Sequence, residues 1–147
     1  MLTSPVLFTL GYQGRTIDQV IDLLTSSTVT LLIDIRRDAY SRKPGFTGSE
    51  LRRAIEAAGI EYRHVPELGI PKEKRAQANS LESTKAVLDW YEDEYLPTVD
   101  HYIRDLAKLI SAEPSALMCF ESEPAMCHRS RLAVVLSKTT SMQIVDL

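Results

Sequence analysis

The sequence predicts an α/β fold, a single three-layer domain over residues 1–147 with a mostly parallel sheet of about five strands flanked by helices. Three observations predict it. Short apolar runs rich in β-branched residues alternate along the chain with stretches of helical periodicity. Several of these runs are apolar at nearly every position, as strands buried on both faces are. No internal repeat or low-complexity tract divides the chain, and 147 residues suit one domain.

The elements follow in order. Val6-Leu7-Phe8-Thr9-Leu10, ended by Gly11, reads as the first strand. A turn with two glycines, Gly11 and Gly14, leads through Arg15 or Thr16 into a helix. Ile17, Val20, Ile21 and Leu24 share one face of that helix, and Asp18 sits in its first turn, where the dipole favours acid. Val29–Ile33 is the second strand and ends at Asp34-Ile35-Arg36-Arg37, followed by a polar, basic loop through Pro44 and Gly45. Thr47 and Glu50 read as a capping box, Phe46 and Leu51 as a hydrophobic staple, and Gly59 as the stop of the second helix. Ile60–Val65 is a weaker, alternating third strand, and Pro66–Arg75 a loop.

Residues 81–110 are helical, either as two helices or as one broken near Pro97. Leu81, Leu88, Tyr91 and Tyr95 recur there at helical spacing, and the tyrosines read as core. Beyond the proline, Val99, Tyr102, Ile103, Leu106, Leu109 and Ile110 repeat the pattern. Ala116–Phe120 is the fourth strand. A helix from about Cys127 to Lys138 turns Leu132, Val135 and Leu136 inward, and Met142–Val145 is a last strand.

Composition narrows the function classes. With 44% hydrophobic and 25% charged residues the chain is an ordinary soluble globular protein, and a net charge of −3 supplies no global attraction to nucleic acid. Two cysteines make no disulfide scaffold. The first residues lack a basic region followed by an apolar core, and no apolar run approaches the ~18–20 residues of a membrane span. A reducing, cytoplasmic setting with free thiols is the expectation. Charge is uneven, however. Arg36, Arg37, Arg42, Lys43, Arg52 and Arg53 meet only Asp38 and Glu50 within their own segment. Such a basic lobe suits a small anion or a phosphate backbone.

Ligands of open parallel sheets bind outside the carboxyl ends of the strands. Here those ends carry the loops Gly11–Arg15, Asp34–Phe46, His64–Arg75 and Cys119–Arg129. The residues expected to hold an anion are Gly11, Tyr12, Asp34, Arg36, Arg37, Cys119 and Arg129, with the N-terminus of the helix that begins near Cys127. Glu121, His128 and His64 are the candidates for proton transfer. Cys127, at that N-terminus, and Cys119, at a strand end, are alternative nucleophiles, and both read equally well as small buried hydrophobes. Cys119, Cys127 and His128, with His64 as a fourth, also offer metal ligands. The spacing C-x7-C-H matches no standard zinc pattern, whose paired cysteines stand about two to four residues apart, so no metal is expected.

Two resemblances attach to these residues. Leu10-Gly11-Tyr12, Leu32-Ile33-Asp34-Ile35-Arg36-Arg37, Phe46, His64-Val65-Pro66-Glu67-Leu68-Gly69 and Met118-Cys119-Phe120-Glu121…Cys127-His128-Arg129 together resemble the DUF488 family over nearly the whole chain. The turn Gly11-Tyr12-Gln13 stands where that family usually carries a Gly-x-Ser or Gly-His-Ser type. The resemblance implies the fold class and no defined activity. Leu32–Arg36 and Cys119…Arg129-Ser130 are more distantly similar to rhodanese-like and related phosphatase domains. Arg129 follows Cys119 by ten positions, a longer span than the tight Cys–Arg cradle of those domains.

The leading expectation is an enzyme-like domain that binds a small anionic, phosphate- or nucleotide-containing ligand at the strand ends, with its reaction and cofactor unassigned. A nucleic-acid-binding module acting through the basic loop at 36–53, and a non-catalytic partner-binding protein, are the alternatives.

Overall fold

Among the described residues, five parallel strands form one sheet in the order β3-β2-β4-β1-β5. They are β1 (Val6–Gly11), β2 (Leu31–Asp34), β3 (Glu61–His64), β4 (Ser115–Cys119) and β5 (Gln143–Asp146). The computed structural model describes residues 5–147. The reading of a leader-free start falls partly on residues 1–4, outside the described ones. No helix among the described residues is long and apolar enough to cross a membrane.

β4 occupies the centre, paired with β1 on one side and β2 on the other. All residues of β2 and β4 are buried, which is why their sequences are apolar without alternation. Successive residues nevertheless serve opposite faces. Leu32, Ala116 and Met118 pack with Val20 and Leu24 of α1 (Ile17–Ser26) and with Leu51 and Ile55 of α2 (Gly48–Ala57). Leu31, Ile33, Leu117 and Cys119 pack on the other side. Their partners there come from α4 (Leu81–Trp90), α5 (Asp100–Ala112) and α6 (His128–Thr140). The expected three-layer α/β domain is thus the observed one.

Local signals set the helix ends. Thr16 caps α1 in a full capping box with Gln19, and Ser80 caps α4 with Ser83. The expected box at Thr47 and Glu50 does not form. Thr47 is the N-cap residue of α2, but its hydroxyl donates to the Ser41 carbonyl at 3.1 Å and so braces the preceding basic loop. Phe46 and Leu51 are fully buried in one cluster, as a staple requires. Gly59, at φ +81°, closes a Schellman motif: its amide donates to Glu56 and that of Ile60 to Ile55. Thr28 closes α1 in the same way at φ +60°, with its amide on Thr25 and that of Val29 on Leu24.

The break near Pro97 takes a specific form. A π turn at Tyr91–Tyr95 and a 3-10 turn at Leu96–Val99 join α4 to α5. Leu81, in register with the inward residues by spacing, is 75% exposed because it is the first residue of α4, beyond the edge of the core. A short helix, α3 (Lys72–Arg75), lies within the stretch expected to be a loop.

This topology locates a crevice. The helices that follow β1 and β2 pack on one face of the sheet, whereas α6, which follows β4, packs on the other. The chain therefore diverges at the carboxyl end of β4, where an open parallel sheet leaves room for a ligand.

Thr28 is a β-branched residue in the left-handed region, a conformation that costs an L-residue roughly 1–2 kcal/mol. Thr28→Gly should raise unfolding free energy by about 0.5–1 kcal/mol after glycine's greater entropy when unfolded is counted. Urea denaturation measures this, and an unchanged or lower midpoint contradicts it.

Candidate functional site

The strand-end loops are stitched together by the backbone. Gly11 lies opposite Cys119 in the β1–β4 register. The Tyr12 amide donates to the Cys119 carbonyl at 3.2 Å, and that of Gln13 to Phe120 at 2.8 Å. A side chain on Gly11 would overlap the Glu121 carbonyl, so glycine is needed there for close approach rather than for an unusual φ. Across β4, the Ile35 amide donates to Met118 at 3.1 Å, and the Val65 amide to Asp34 at 2.9 Å. Three loops distant in sequence therefore meet around the end of β4.

Asp34 and Arg36 form a buried ion pair at this junction. Arg36 Nε donates to Oδ1 at 2.8 Å and Nη2 to Oδ2 at 2.7 Å, the bidentate geometry of a guanidinium on a carboxylate. The Tyr62 hydroxyl donates to Oδ2 at 2.6 Å, and the Arg36 amide to Oδ1 at 3.1 Å. Arg36 Nη1 reaches the Phe46 carbonyl at 2.7 Å and the Tyr12 hydroxyl at 3.3 Å. Burial works against the Arg36 charge, but hydrogen bonds and Coulombic attraction from Asp34 outweigh it and raise the guanidinium pKa. Burial first, and then the Asp34 charge, raise that of Tyr62. Tyr12 completes the assembly, stacked on Phe46 with centroids 4.3 Å apart and edge-on to Phe120 at 5.3 Å.

Arg129 is wholly buried in α6. Its Nη1 donates to the Glu121 carbonyl and to Cys119 Sγ, the latter at 3.3 Å, and Nη2 to the Ser122 carbonyl at 3.4 Å. Its Nε is the one buried side-chain polar atom among the described residues without a partner. Burial lowers its pKa, opposed by Asp146 and Glu121. Expected at the anion, Arg129 instead wraps the loop that follows β4. His64 is likewise directed elsewhere. Its Nε2 donates to the Arg36 carbonyl at 2.6 Å, and the residue lines a separate groove with Tyr62 and Tyr102.

Both cysteines come together with His128. Where free thiols are expected, the Cys119 and Cys127 sulfurs are in bonding contact, with Cα atoms 7.4 Å apart, wider than the roughly 4.4–6.8 Å usual for a disulfide. A 3-10 turn at Pro124–Met126 folds the loop back and seats Cys127, the N-cap of α6, beside the end of β4. His128 Nε2 donates to the Ile35 carbonyl at 3.0 Å, which leaves the Nδ1 lone pair facing Cys127 Sγ at 3.8 Å. Burial holds the His128 pKa down at about 4, reinforced by Arg129 and Arg75 and only partly countered by the Ile35 bond, so the ring is neutral. The Tyr91 ring packs edge-on against it, 5.3 Å between centroids. Burial also raises the pKa of Glu121, whose Oε2 is 3.6 Å from Cys119 Sγ.

These groups floor a cleft of about 550 Å³. Tyr12, Cys119, Phe120, Glu121 and His128 come from the strand ends, Ile70 and Ala78 from the loop after β3, and Thr84, Val87 and Leu88 from α4. Arg36, Arg37, Arg42 and Arg75 line it too. Arg37 Nη1 is held by the Pro66 carbonyl at 3.1 Å and the Tyr95 hydroxyl at 3.2 Å. Tyr95 and Tyr91 donate in turn to the Glu67 and Leu68 carbonyls, so the π turn clamps the β3 loop against the cleft. Of the expected residues, Tyr12, Arg36, Arg37, Cys119, Glu121 and His128 meet at the cleft. Gly11, Asp34, Cys127 and Arg129 lie behind it, and His64 is outside. Arg75 and the α4 wall went unanticipated. The basic run Lys72-Glu73-Lys74-Arg75 after β3 was the sequence signal for Arg75.

Asp34→Asn should cost about 3–5 kcal/mol, the loss typical when one partner of a buried ion pair is removed, read from urea unfolding. A loss under about 1 kcal/mol, as for an exposed pair, would contradict the ion pair's structural role. For His128, the unfolded imidazole protonates near pH 6.5, whereas the folded one resists until about pH 4. The unfolded state binds more protons in that window, so metal-free protein should lose stability as pH falls through it. Glu121, raised by burial, contributes with the opposite sign. Comparison with His128→Gln cancels that part, and identical pH slopes for the two proteins would contradict a buried neutral imidazole.

The chain was compared with protein-family models, curated proteins and solved structures. No curated protein and no solved structure matches it. The model of one family, described as "Domain of unknown function DUF488", matches residues 16–136. That span includes the ion pair, both cysteines, Glu121, His128 and Arg129, and the chain belongs to the DUF488 family.

Proposed function

We propose that this DUF488 protein is an enzyme-type domain that binds a small anionic ligand, phosphate- or nucleotide-containing, in the cleft at the end of β4. The observation that carries the reading is the pairing of a basic wall with a reactive floor. Arg37, Arg42 and Arg75 meet the ligand's charge, while Cys119, Glu121 and His128 lie beneath them. Arg36 and Arg129 act from behind, the first through its ion pair with Asp34 and the second through the loop carbonyls. The apolar surface of Val87, Leu88 and Ile70 accepts the uncharged part of the ligand.

Three groups supply chemistry. Glu121, its carboxyl pKa raised by burial, serves as the proton donor. His128, neutral and with Nδ1 unprotonated, serves as an acceptor. Cys119 or Cys127, once reduced, is a nucleophile flanked by that imidazole and by the Arg129 guanidinium. The basic loop at 36–53 suits nucleic acid less well, because Arg36 is withdrawn into the interior.

Calorimetry with phosphate, sulfate and a nucleoside monophosphate tests the reading. Binding should weaken at least about tenfold in Arg75→Ala and in Arg42→Ala, since a charge-assisted hydrogen bond contributes roughly 1.5–3 kcal/mol. Both side chains are at the cleft rim, so both variants should keep wild-type thermal stability. Absence of binding by every anion, or wild-type affinity in both variants, sinks the proposal.

A further inference from the structure

We infer that the reduced form of this site binds a soft divalent cation, of which Zn2+ is the type, through Cys119, Cys127 and His128. The two sulfurs and a ring nitrogen of His128 all lie within 4.8 Å of one another. Tetrahedral zinc with Zn–S bonds of about 2.3 Å sets its ligand atoms about 3.8 Å apart. Cys127 Sγ and His128 Nδ1 stand 3.8 Å apart as they are. Separation of the sulfurs on reduction opens the space between them for the ion.

The surroundings are those a metal site needs. A ligating histidine almost always donates its second nitrogen to a carbonyl or carboxylate, which fixes the tautomer and aims the lone pair. His128 Nε2 makes that bond to Ile35. Glu121 Oε2, 3.6 Å from Cys119 Sγ, is placed to be the fourth ligand or to hold a bound water. Arg129 Nη1, 3.3 Å from the same sulfur, favours its thiolate. Cys119, Glu121 and His128 line the cleft, so the ion enters from solvent. The zinc spacing missing from the sequence is supplied by the fold: the cysteines come from a strand end and a helix N-cap rather than from one knuckle.

The balance is simple. Each thiol releases a proton to solvent, two S–Zn bonds and one N–Zn bond form, and no electrons move. The disulfide has no thiolate to offer and excludes the ion. Reduction by an excess of a small dithiol, which leaves as its own cyclic disulfide, converts one form to the other. This inference stands apart from the anion reading, because metal binding is measured with no anion present.

The test titrates the full chain with Co2+ and then Zn2+, anaerobically, after reduction and removal of the dithiol. Expected are one cobalt per chain with a thiolate-to-cobalt charge-transfer band, displacement by zinc, and release of one proton for each thiol. Oxidised protein should show none of these. Cys127→Ser, in which serine suits the N-cap position, should fold and weaken binding at least about tenfold. No charge-transfer band in the reduced chain overturns the proposal, and so does a band that persists unchanged in oxidised protein or in Cys127→Ser.

Discussion

The Asp34–Arg36 pair holds the site together. An isolated carboxylate at the end of a central strand would be too costly to bury, and so would an isolated guanidinium. Joined in bidentate geometry, and with Tyr62, Tyr12 and the Phe46 carbonyl meeting their remaining valences, they become a rigid cross-tie. It links β2 to β3, to the basic loop and to the turn after β1. Each neighbouring feature leans on it. Tyr12 is positioned by it for stacking on Phe46, and the Arg36 carbonyl is presented to His64. A pair so enclosed is a scaffold for the cleft wall before it is a ligand for anything in the cleft.

Arg129 performs the matching task on the other side of β4. It gathers the carbonyls of Glu121 and Ser122 and the sulfur of Cys119, and thereby sets the curve of the loop that carries the reactive groups. Two buried arginines thus define the floor, and the rim carries Arg42, Arg37, which is tied to Pro66 and Tyr95, and Arg75, which pairs with Asp38 at 3.0 Å. Beside them sits a sulfur–imidazole–carboxylate cluster that is largely buried at the floor of the cleft. Burial explains why the imidazole stays neutral and the carboxyl holds its proton more tightly than usual. Such opposed shifts are common where function resides, though ion-pair networks produce them as well.

Much of the fold was legible because it rests on local rules. Continuous apolar runs marked the central strands, since burial on both faces leaves no position for a polar residue. Gly59 marked a helix end through its positive φ. The convergence of four loops followed from parallel topology alone. Parts of the site were legible for the same reason: Cys119, Glu121 and His128 stand at or just beyond a strand's carboxyl end, and so fall in the crevice. Side-chain direction was not. Arg129 and Arg37 look alike in sequence, yet one is wholly buried against the carbonyls of Glu121 and Ser122 and the other lines the cleft, tied to Pro66 and Tyr95. Thr47 shows the same limit, because its hydroxyl had two acceptable partners and tertiary packing chose Ser41 over its own helix.

By itself the sequence determined the α/β class, the order of elements and the end of the sheet at which chemistry is concentrated. These depend on hydrophobic periodicity and turn chemistry, which act over a few residues. Only the tertiary structure decided which charges are locked inside, that the two cysteines meet, and that His128 faces them with an unprotonated nitrogen. Those facts depend on contacts between segments far apart in the chain, such as Ile35 with His128 and Tyr91 with Leu68. No local pattern encodes such contacts, because their partners are chosen by the packing of the whole domain.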